Sequence, residues 1–594
     1  MTLHLDRTTS DPPLSATEFT VRGDSAAADV LGTLLHQSGA TVTRFPATTG
    51  DPAHVDGPAS LTITWAGPVS AGVTDEASAQ AVCGPMHVHG RSQGSPRGLG
   101  LDYCGVAAGV LGGTGLLAAL FGGASAVTTS VAQAALLSVS QYLAAAGAPE
   151  ATTPGPGGPP FVSADGVLFE IEALDPAVWQ AFWAGLGVAG RVIGAGWRPF
   201  QFRYPTATAP LPAELHEAAG ARTFADLVAH AGGTGMSICR LHAPNSAGGP
   251  AFELREVGWR GCEVGSASPQ DSAPVAPIPS AALPAPAAPI PPAARPAAAA
   301  AALPATLPAP AALPVPAARP VPTSQPQPAL PLAGLLVLEA GRRVQAPLAA
   351  HLLSLLGATV VRVEPPGGDP LRGMPPMCGD TSARWLALNR AKSAVEIDIK
   401  NADDRDRLRD LVRTADVFLH NWAPGTAERL GLGADDLAAV NPRLVFVHTS
   451  GWAGRLRDAP LGTDFMVQAR TGLGALLRPA DESPAPSLMT LLDVLGGLLG
   501  AYTAVAALLQ RQHTGRAVRA ESSLLAAAEL LMRQANGRPA PGFRRPLLGD
   551  GGWVHEGVAV TDDLASLTTD PRFAGAVGLD SAGCPEVLTP WRFR

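Results

Sequence analysis

DYCGVAAGVLGGTGLLAALFGGASAV (102–127) and DVLGGLLGAYTAVAALLQRQHTGRAV (493–518) read as two copies of one unit, each opening on an aspartate. Asp102 falls on Asp493, Gly105 on Gly496, Gly109 on Gly500, Ala126 on Ala517 and Val127 on Val518, all 391 positions apart. An earlier pair, Gly39-Ala40-Thr41-Val42 and Gly357-Ala358-Thr359-Val360, repeats at a spacing of 318, so the first copy has lost about 73 residues between these landmarks. The spacing predicts a tandem of two related lobes, one of them cut down.

Working outward, residues 271–330 are dominated by Ala and Pro, with almost no charge and no periodicity. Proline fixes φ and removes a donor, so this stretch reads as a semi-rigid linker without a core. The expected organisation is a flexible N-terminus (1–17), a truncated lobe (18–270), the linker (271–330) and a second lobe (331–594).

In lobe two, apolar strands at 335–339, 358–363, 394–399, 417–420 and 444–448 alternate with helices at 346–356 and 402–415. That alternation predicts an α/β fold, a Rossmann-like parallel sheet with right-handed crossovers whose ligands gather at the carboxyl ends of the strands. Lobe one keeps a helix at 30–37 and a strand at 41–45, then a small α/β region with a strand at 167–171 and helices at 176–186 and 224–231. The lobes look eroded in opposite places.

Across 594 residues the net charge is −8, which argues against general nucleic-acid binding. The six cysteines show neither CxxC nor metal-ligand spacing, which reads as reduced thiols in a cytoplasmic protein, with no metal site. MTLHLDRTTSDPP lacks an apolar signal region. From Tyr103 to Pro149 no Asp, Glu, Lys or Arg occurs, long enough to span a bilayer. Its repeat partner carries Arg511, Arg516, Arg519 and Glu521, so the segment is read as two buried helices rather than a membrane span.

Two motifs could carry chemistry. The chain's two lysines, Lys392 and Lys400, share one stretch with Asn389 and Arg390, a loop able to grip phosphate oxygens or simply to be a solvated turn. Asp493 and Asp102 each stand before a long apolar helix, where an aspartate serves as N-cap or as a carboxylate nucleophile at the positive helix end.

Lobe two resembles the first two-thirds of the family III CoA-transferases, relatives of formyl-CoA transferase and α-methylacyl-CoA racemase. The stations are Gly341–Pro347, GATVVRVEPPGGDPLR (357–372), LALNRAKSAVEIDIK (386–400), ADVFLHNWAPG (415–425), LGLGADDLAAVNPRLVFVHTSGW (430–452), LGTDFMVQARTGL (461–473) and LLDVLGG (491–497). The resemblance implies that Asp493 attacks an acyl-CoA thioester through aspartyl anhydride and aspartyl-CoA intermediates. It implies CoA contacts from Val344, Gln345, Arg372, Asn389, Arg390, Lys392, Asn421 and Trp422, with Thr463, Asp464 and Gly497 near the site.

Some positions depart from the family pattern. Thr463 stands where racemases place His and many transferases an aromatic residue, Ala423 where Arg is common, and Gly549-Asp550-Gly551-Gly552 is a weak match to the glycine-rich loop over the nucleophile. Asp102 is the lobe-one equivalent of Asp493, but Val106 replaces the glycine found at 497. The expected function is transfer of CoA from a donor thioester to an organic acid, with the thioester as substrate and no tightly bound cofactor. The alternatives are a racemase, dehydratase or lyase using Asp493 as acid/base, and a non-catalytic ligand-binding scaffold. The family's interlocked dimers imply that the two lobes pair as an intramolecular pseudo-dimer, without membrane or nucleic-acid partners.

Overall fold

Each long apolar helix is flanked by strands of its own lobe, and the two helices pack face to face. In the computed structural model, residues 12–148, 154–245, 248–257, 329–534 and 545–594 are described. Most of the 271–330 linker and the 270/271 boundary fall outside these residues. So does most of the N-terminus, although Leu14 is buried and its amide donates to Ser38 O, which places residues 12–17 against lobe one.

The lobe-two sheet has the strand order 393–396, 359–364, 336–340, 417–420, 445–450, 518–523, 252–256. Its first six strands are parallel, as the sequence predicts. The seventh, Phe252–Glu256, comes from lobe one and runs antiparallel to Val518–Ser523. The lobe-one sheet has the order 41–45, 18–22, 53–56, 60–64, 126–130, 592–593. Its last strand, Arg592–Phe593, comes from lobe two and runs antiparallel to Ala126–Ser130. Each lobe therefore supplies the edge strand of the other, and a paired edge removes an exposed row of backbone donors and acceptors.

Lobe one is not wholly parallel. Ala53–Asp56 takes the place that Val417–His420 fills in lobe two, but it pairs antiparallel with both neighbours and forms a hairpin with Ser60–Thr64. That hairpin replaces the crossover helices of lobe two. The Tyr103–Pro149 segment also differs from its two-helix reading: helix Tyr103–Gly122 is followed by strand Ala126–Ser130, then helices Val131–Ser138 and Ser140–Ala146.

The two long helices, Tyr103–Gly122 and Leu491–Thr514, form the shared core. A Cβ at Gly113 would lie 2.9 Å from the Tyr502 ring, whose hydroxyl bonds Ser38 Oγ at 2.8 Å. Both helices are long and apolar enough to cross a membrane, yet 89% and 100% of their apolar stretches are buried within the protein.

The small α/β region forms a three-stranded antiparallel sheet (161–162, 168–172, 237–240) under four helices. Two of these, Gly190–Thr206 and Ala213–Gly220, have no counterpart in the sequence reading. Pro199 and Pro205 lie inside the first and mask it, since proline is the strongest helix-breaking signal.

The C-terminal segment is anchored on lobe one by Trp591. Its ring is 3% exposed, its Nε1 donates to Leu111 O at 3.0 Å, and it fills the gap left by Gly115. Trp591→Ala is expected to cost about 3–5 kcal/mol of folding stability. Urea unfolding checks this, and a loss below about 1 kcal/mol would show that lobe one does not depend on this segment.

Candidate functional site

Asp493 is the third residue of helix Leu491–Thr514, not its N-cap; Thr490 holds that place in a left-handed conformation with φ of 52°. The helix's free amides are spent on a second carboxylate. Asp464, fully buried, accepts the backbone N–H of Asp493 at 2.7 Å and that of Leu492, and Gln468 Nε2 donates to its other oxygen. Gln468 is fixed in turn by Ser487, accepting its N–H at 2.8 Å and donating to its C=O at 3.0 Å. Asp464 thus takes the positive end of the helix, leaving the Asp493 carboxyl to face a cavity.

The same device recurs in lobe one. Glu76 accepts the N–H of Cys104 at 2.9 Å and of Gly105 at 2.8 Å, and Gln80 Nε2 donates to it at 2.8 Å. Gln80 accepts the N–H of Leu99 at 2.7 Å. Glu76, Gln80, Leu99, Cys104 and Gly105 each lie 388 positions before Asp464, Gln468, Ser487, Leu492 and Asp493 (464 − 76 = 388).

Glycine packing agrees. A Cβ at Gly109 would meet Ala27 O at 2.8 Å and Val30 Cβ at 3.0 Å, as one at Gly497 would meet Gln345 O at 2.9 Å and Leu348 Cβ at 3.0 Å. The structural counterpart of Asp493 is therefore Gly105, which has no side chain, and Asp102 corresponds to Thr490. The 391 register fits neither end of the helix: its first residues lie 388 apart (103 and 491) and its C-cap glycines 392 apart (123 and 515), because the lobe-two helix is longer by four residues (24 against 20). In a Gly/Ala-rich helix, a slip of about one turn keeps small residues on the same face.

Asp493 opens into a cavity of about 460 Å³ walled by both lobes: Gln141, Phe202 and Tyr204 from lobe one, and Arg343, Val344, Leu388, Asn389 and Trp385 from lobe two. Burial, then the neighbouring Asp464 charge, hold its carboxyl well above the usual carboxylate range; Arg343 acts the other way and Glu172 adds to the rise. Burial pushes Asp464 up to about 6 despite its hydrogen bonds. Glu172 reaches this centre from the lobe-one strand Leu168–Glu172. It accepts the Thr463 hydroxyl at 2.9 Å and the Tyr204 hydroxyl, and it pairs with buried Arg203 at 3.1 Å. Tyr204 stacks on Phe465 with ring centroids 4.5 Å apart. Tyr204 of lobe one thus brings an aromatic ring and a hydroxyl to the same Glu172 carboxylate that Thr463 bonds.

The remaining predicted contacts divide. Val344 lines the cavity, whereas the Gln345 side chain is 5% exposed and lies against Gly496, its Nε2 3.4 Å from Ser450 O. Asn421 grips the backbone of Arg342 on both sides, at 2.8 and 2.9 Å, and so fixes the left-handed turn at Arg343, where φ is 64°. Trp422 is buried beside Phe418 and His420.

The loop around Lys392 is no open phosphate grip. Lys392 Nζ is fully buried, bonded to Glu339, Pro347 O and Asn389, and Arg390 is held by Asp580 and Glu586. Arg372 chelates Glu364 and lies 3.8 Å over the Trp385 ring. Gly549 and Gly552 sit on an outer hairpin and do not line the cavity. Sequence reasoning missed Glu172, Tyr204, Arg343, Arg384 and Glu76. The run Trp197, Phe200, Phe202, Tyr204 was the available signal for the second.

A sequence model of CoA-transferase family III matches residues 62–257 and 332–544. The chain is 38% identical over 193 residues to the succinyl-CoA–L-malate CoA-transferase beta subunit of Chloroflexus aurantiacus, covering 32% of this chain and 47% of the relative. It is 31% identical over 293 residues to the succinyl-CoA–D-citramalate CoA-transferase of the same organism, covering 44% and 72%. A CAIB/BAIF family protein from Brucella suis, of known crystal structure, aligns over 45% of this chain and 93% of its own, with 24% identity and a TM-score of 0.38. The chain spans about half the length of the first curated relatives it matches.

Asp464→Asn keeps the acceptor oxygen for the Asp493 amide and removes the adjacent like charge. Asp493 should then ionise at lower pH, because its anion no longer faces a second one. Carboxyl ¹³C NMR titration checks the sign; an unchanged or raised midpoint would show that the two groups are not electrostatically linked.

Proposed function

Because the chain belongs to CoA-transferase family III, we propose that it moves CoA from a donor thioester to an organic acid at a single site centred on Asp493. The observation that carries this reading is the Asp493 carboxyl facing a two-walled cavity, its own helix amides already taken by Asp464.

In the proposed cycle an Asp493 oxygen attacks the thioester carbonyl, forming a mixed anhydride and releasing CoA thiolate. The thiolate attacks the aspartyl carbonyl, giving aspartyl-CoA thioester and the free donor acid. The acceptor carboxylate attacks that thioester, restoring an anhydride and thiolate. Thiolate attack on the acceptor acyl carbon then yields the new thioester and the Asp493 carboxylate. The nucleophile must be ionised, so turnover rises as pH passes upward through its elevated pKa. Arg343 is the cation facing Asp493, and we assign it the developing oxyanion charge of each tetrahedral step.

We also read the chain as a fused pseudo-dimer born of tandem duplication. The exchanged edge strands and the repeated carboxylate–glutamine clamp support this. Lobe one keeps the clamp but has Gly105 at the nucleophile's position, so it serves as a wall. The free thiols Cys83, Cys104, Cys239, Cys378 and Cys584 fit a reducing, cytoplasmic setting. One observation favours acid/base chemistry instead: a carboxyl held well above the usual carboxylate range suits proton transfer at the carbon next to a thioester.

Native mass spectrometry of the full chain with a panel of acyl-CoAs tests the cycle. A covalent acyl or CoA adduct should form, vanish in Asp493→Ala and persist in Asp102→Ala. Solvent-deuterium exchange into the acyl group without any adduct would select the acid/base reading.

Residues 329–594 expressed alone should lack the Glu172, Tyr204 and Phe202 wall, and their turnover should fall by at least about 100-fold. Full activity of that fragment would sink the single two-lobed site.

A further inference from the structure

Arg384 lines the Asp493 cavity and, with Arg91, a neighbouring one, and neither arginine has a carboxylate partner among the described residues. Arg384 is 9% exposed; its Nε donates to Pro205 O at 3.0 Å and its Nη1 to Pro375 O at 2.9 Å. Those two carbonyls orient the guanidinium without neutralising it. Arg91 rests over the Tyr142 ring at 5.5 Å and contacts His87 and Thr206 O. Burial, reinforced by Arg91, brings Arg384 down to about 10, and burial takes His87 down to about 4, so His87 is neutral here.

Arg384 lines both the Asp493 cavity and an adjoining one of about 220 Å³ that contains His87, Arg91, Tyr142 and Thr206. Asp493 borders only the first, and Arg384 is the lining residue the two cavities share. Asp562 and Asp563 border the side cavity, exposed to solvent. The wall shared by Asp493 and Arg384 includes apolar Phe202, Leu371, Met374 and Leu388. Two like charges, one buried and one half-buried, with no carboxylate bonded to either are unfavourable, and an incoming anion relieves them. A planar guanidinium matches a carboxylate in particular. The side cavity has room for a carboxylate and a few carbons but not for a nucleotide.

We propose that Arg384, backed by Arg91, binds the distal carboxylate of the acyl group, so that the site takes short dicarboxylic acids and their mono-CoA thioesters. The thioester half of this statement rests on the transferase reading; the anion subsite does not.

The test is calorimetric binding to the full chain carrying Asp493→Asn, which cannot form adducts. Succinyl-CoA and butyryl-CoA have the same backbone and differ in the terminal carboxylate; free succinate and butyrate form the second arm. Succinyl-CoA should bind about 50-fold more tightly than butyryl-CoA. Adding Arg384→Met should bring that ratio below about 3, and Arg384→Lys, which keeps the charge but not the planar fork, should lower it by about 5-fold or more. The Lys variant serves if the Met variant does not fold.

Equal affinity for the two thioesters overturns the subsite and leaves the CoA reading intact. Arg384→Met weakening both thioesters equally also overturns it, by assigning Arg384 to the CoA phosphates. Arg384-dependent succinate binding with no thioester binding would uphold the subsite and defeat the transferase reading.

Discussion

The site depends on one arrangement: a buried carboxylate occupying the free amides at the start of a long apolar helix. Asp464 does this for Leu491–Thr514, and Gln468 ties it to the backbone of Ser487. A helix N-terminus normally stabilises the nearest anion, which here would have been Asp493 itself. With its amides assigned to Asp464, the helix instead presents Asp493 beside a like charge, at the edge of a cavity, with its proton hard to remove. Everything around it maintains that position. Tyr103 donates to Leu491 O, Tyr142 to Tyr204 O, and Tyr142 also meets the Thr490 hydroxyl, so lobe one braces the turn that precedes Asp493.

Glu76 performs the same task where there is nothing left to present. Its clamp is complete down to the glutamine, yet the residue above it is Gly105. Burial and the nearby Asp102 charge push Glu76 up to about 7. This preservation has a structural reason, because an unpaired helix end inside a shared core would leave buried amides without acceptors. The clamp belongs to the packing of the helix, and only the lobe-two copy still bears an aspartate above it.

Much of this was legible in the chain. The alternating strands and helices of lobe two lie within three residues of their predicted ends, and the repeated Gly-Ala-Thr-Val marks a helix-to-strand turn in both lobes. What escaped was tertiary. Asp102 looked like the partner of Asp493 because small residues in one helix align equally well after a slip of a turn; the clamped amides and the contacts of Gly109 and Gly497 fix the register. The helix carrying Tyr204 was hidden by Pro199 and Pro205. Lys392 read as a phosphate contact because its sequence neighbours are polar, whereas its true neighbours, Glu339 and Pro347, lie 53 and 45 positions away. Strand exchange between lobes leaves no local pattern at all, since Phe252–Glu256 and Arg592–Phe593 look like any short edge strand.

That exchange also governs how the chain can reach its native state. Strand Ala126–Ser130 finds its neighbour at Arg592–Phe593, more than 460 positions later, and Val518–Ser523 finds its own at Phe252–Glu256. Closing loops of that length is slow, and an unpaired strand offers its backbone to any passing chain in the meantime. During synthesis the first lobe must therefore wait with an open flank until the second has emerged. A ribosome-bound intermediate of this protein is a natural client for chaperones, however stable the finished molecule becomes.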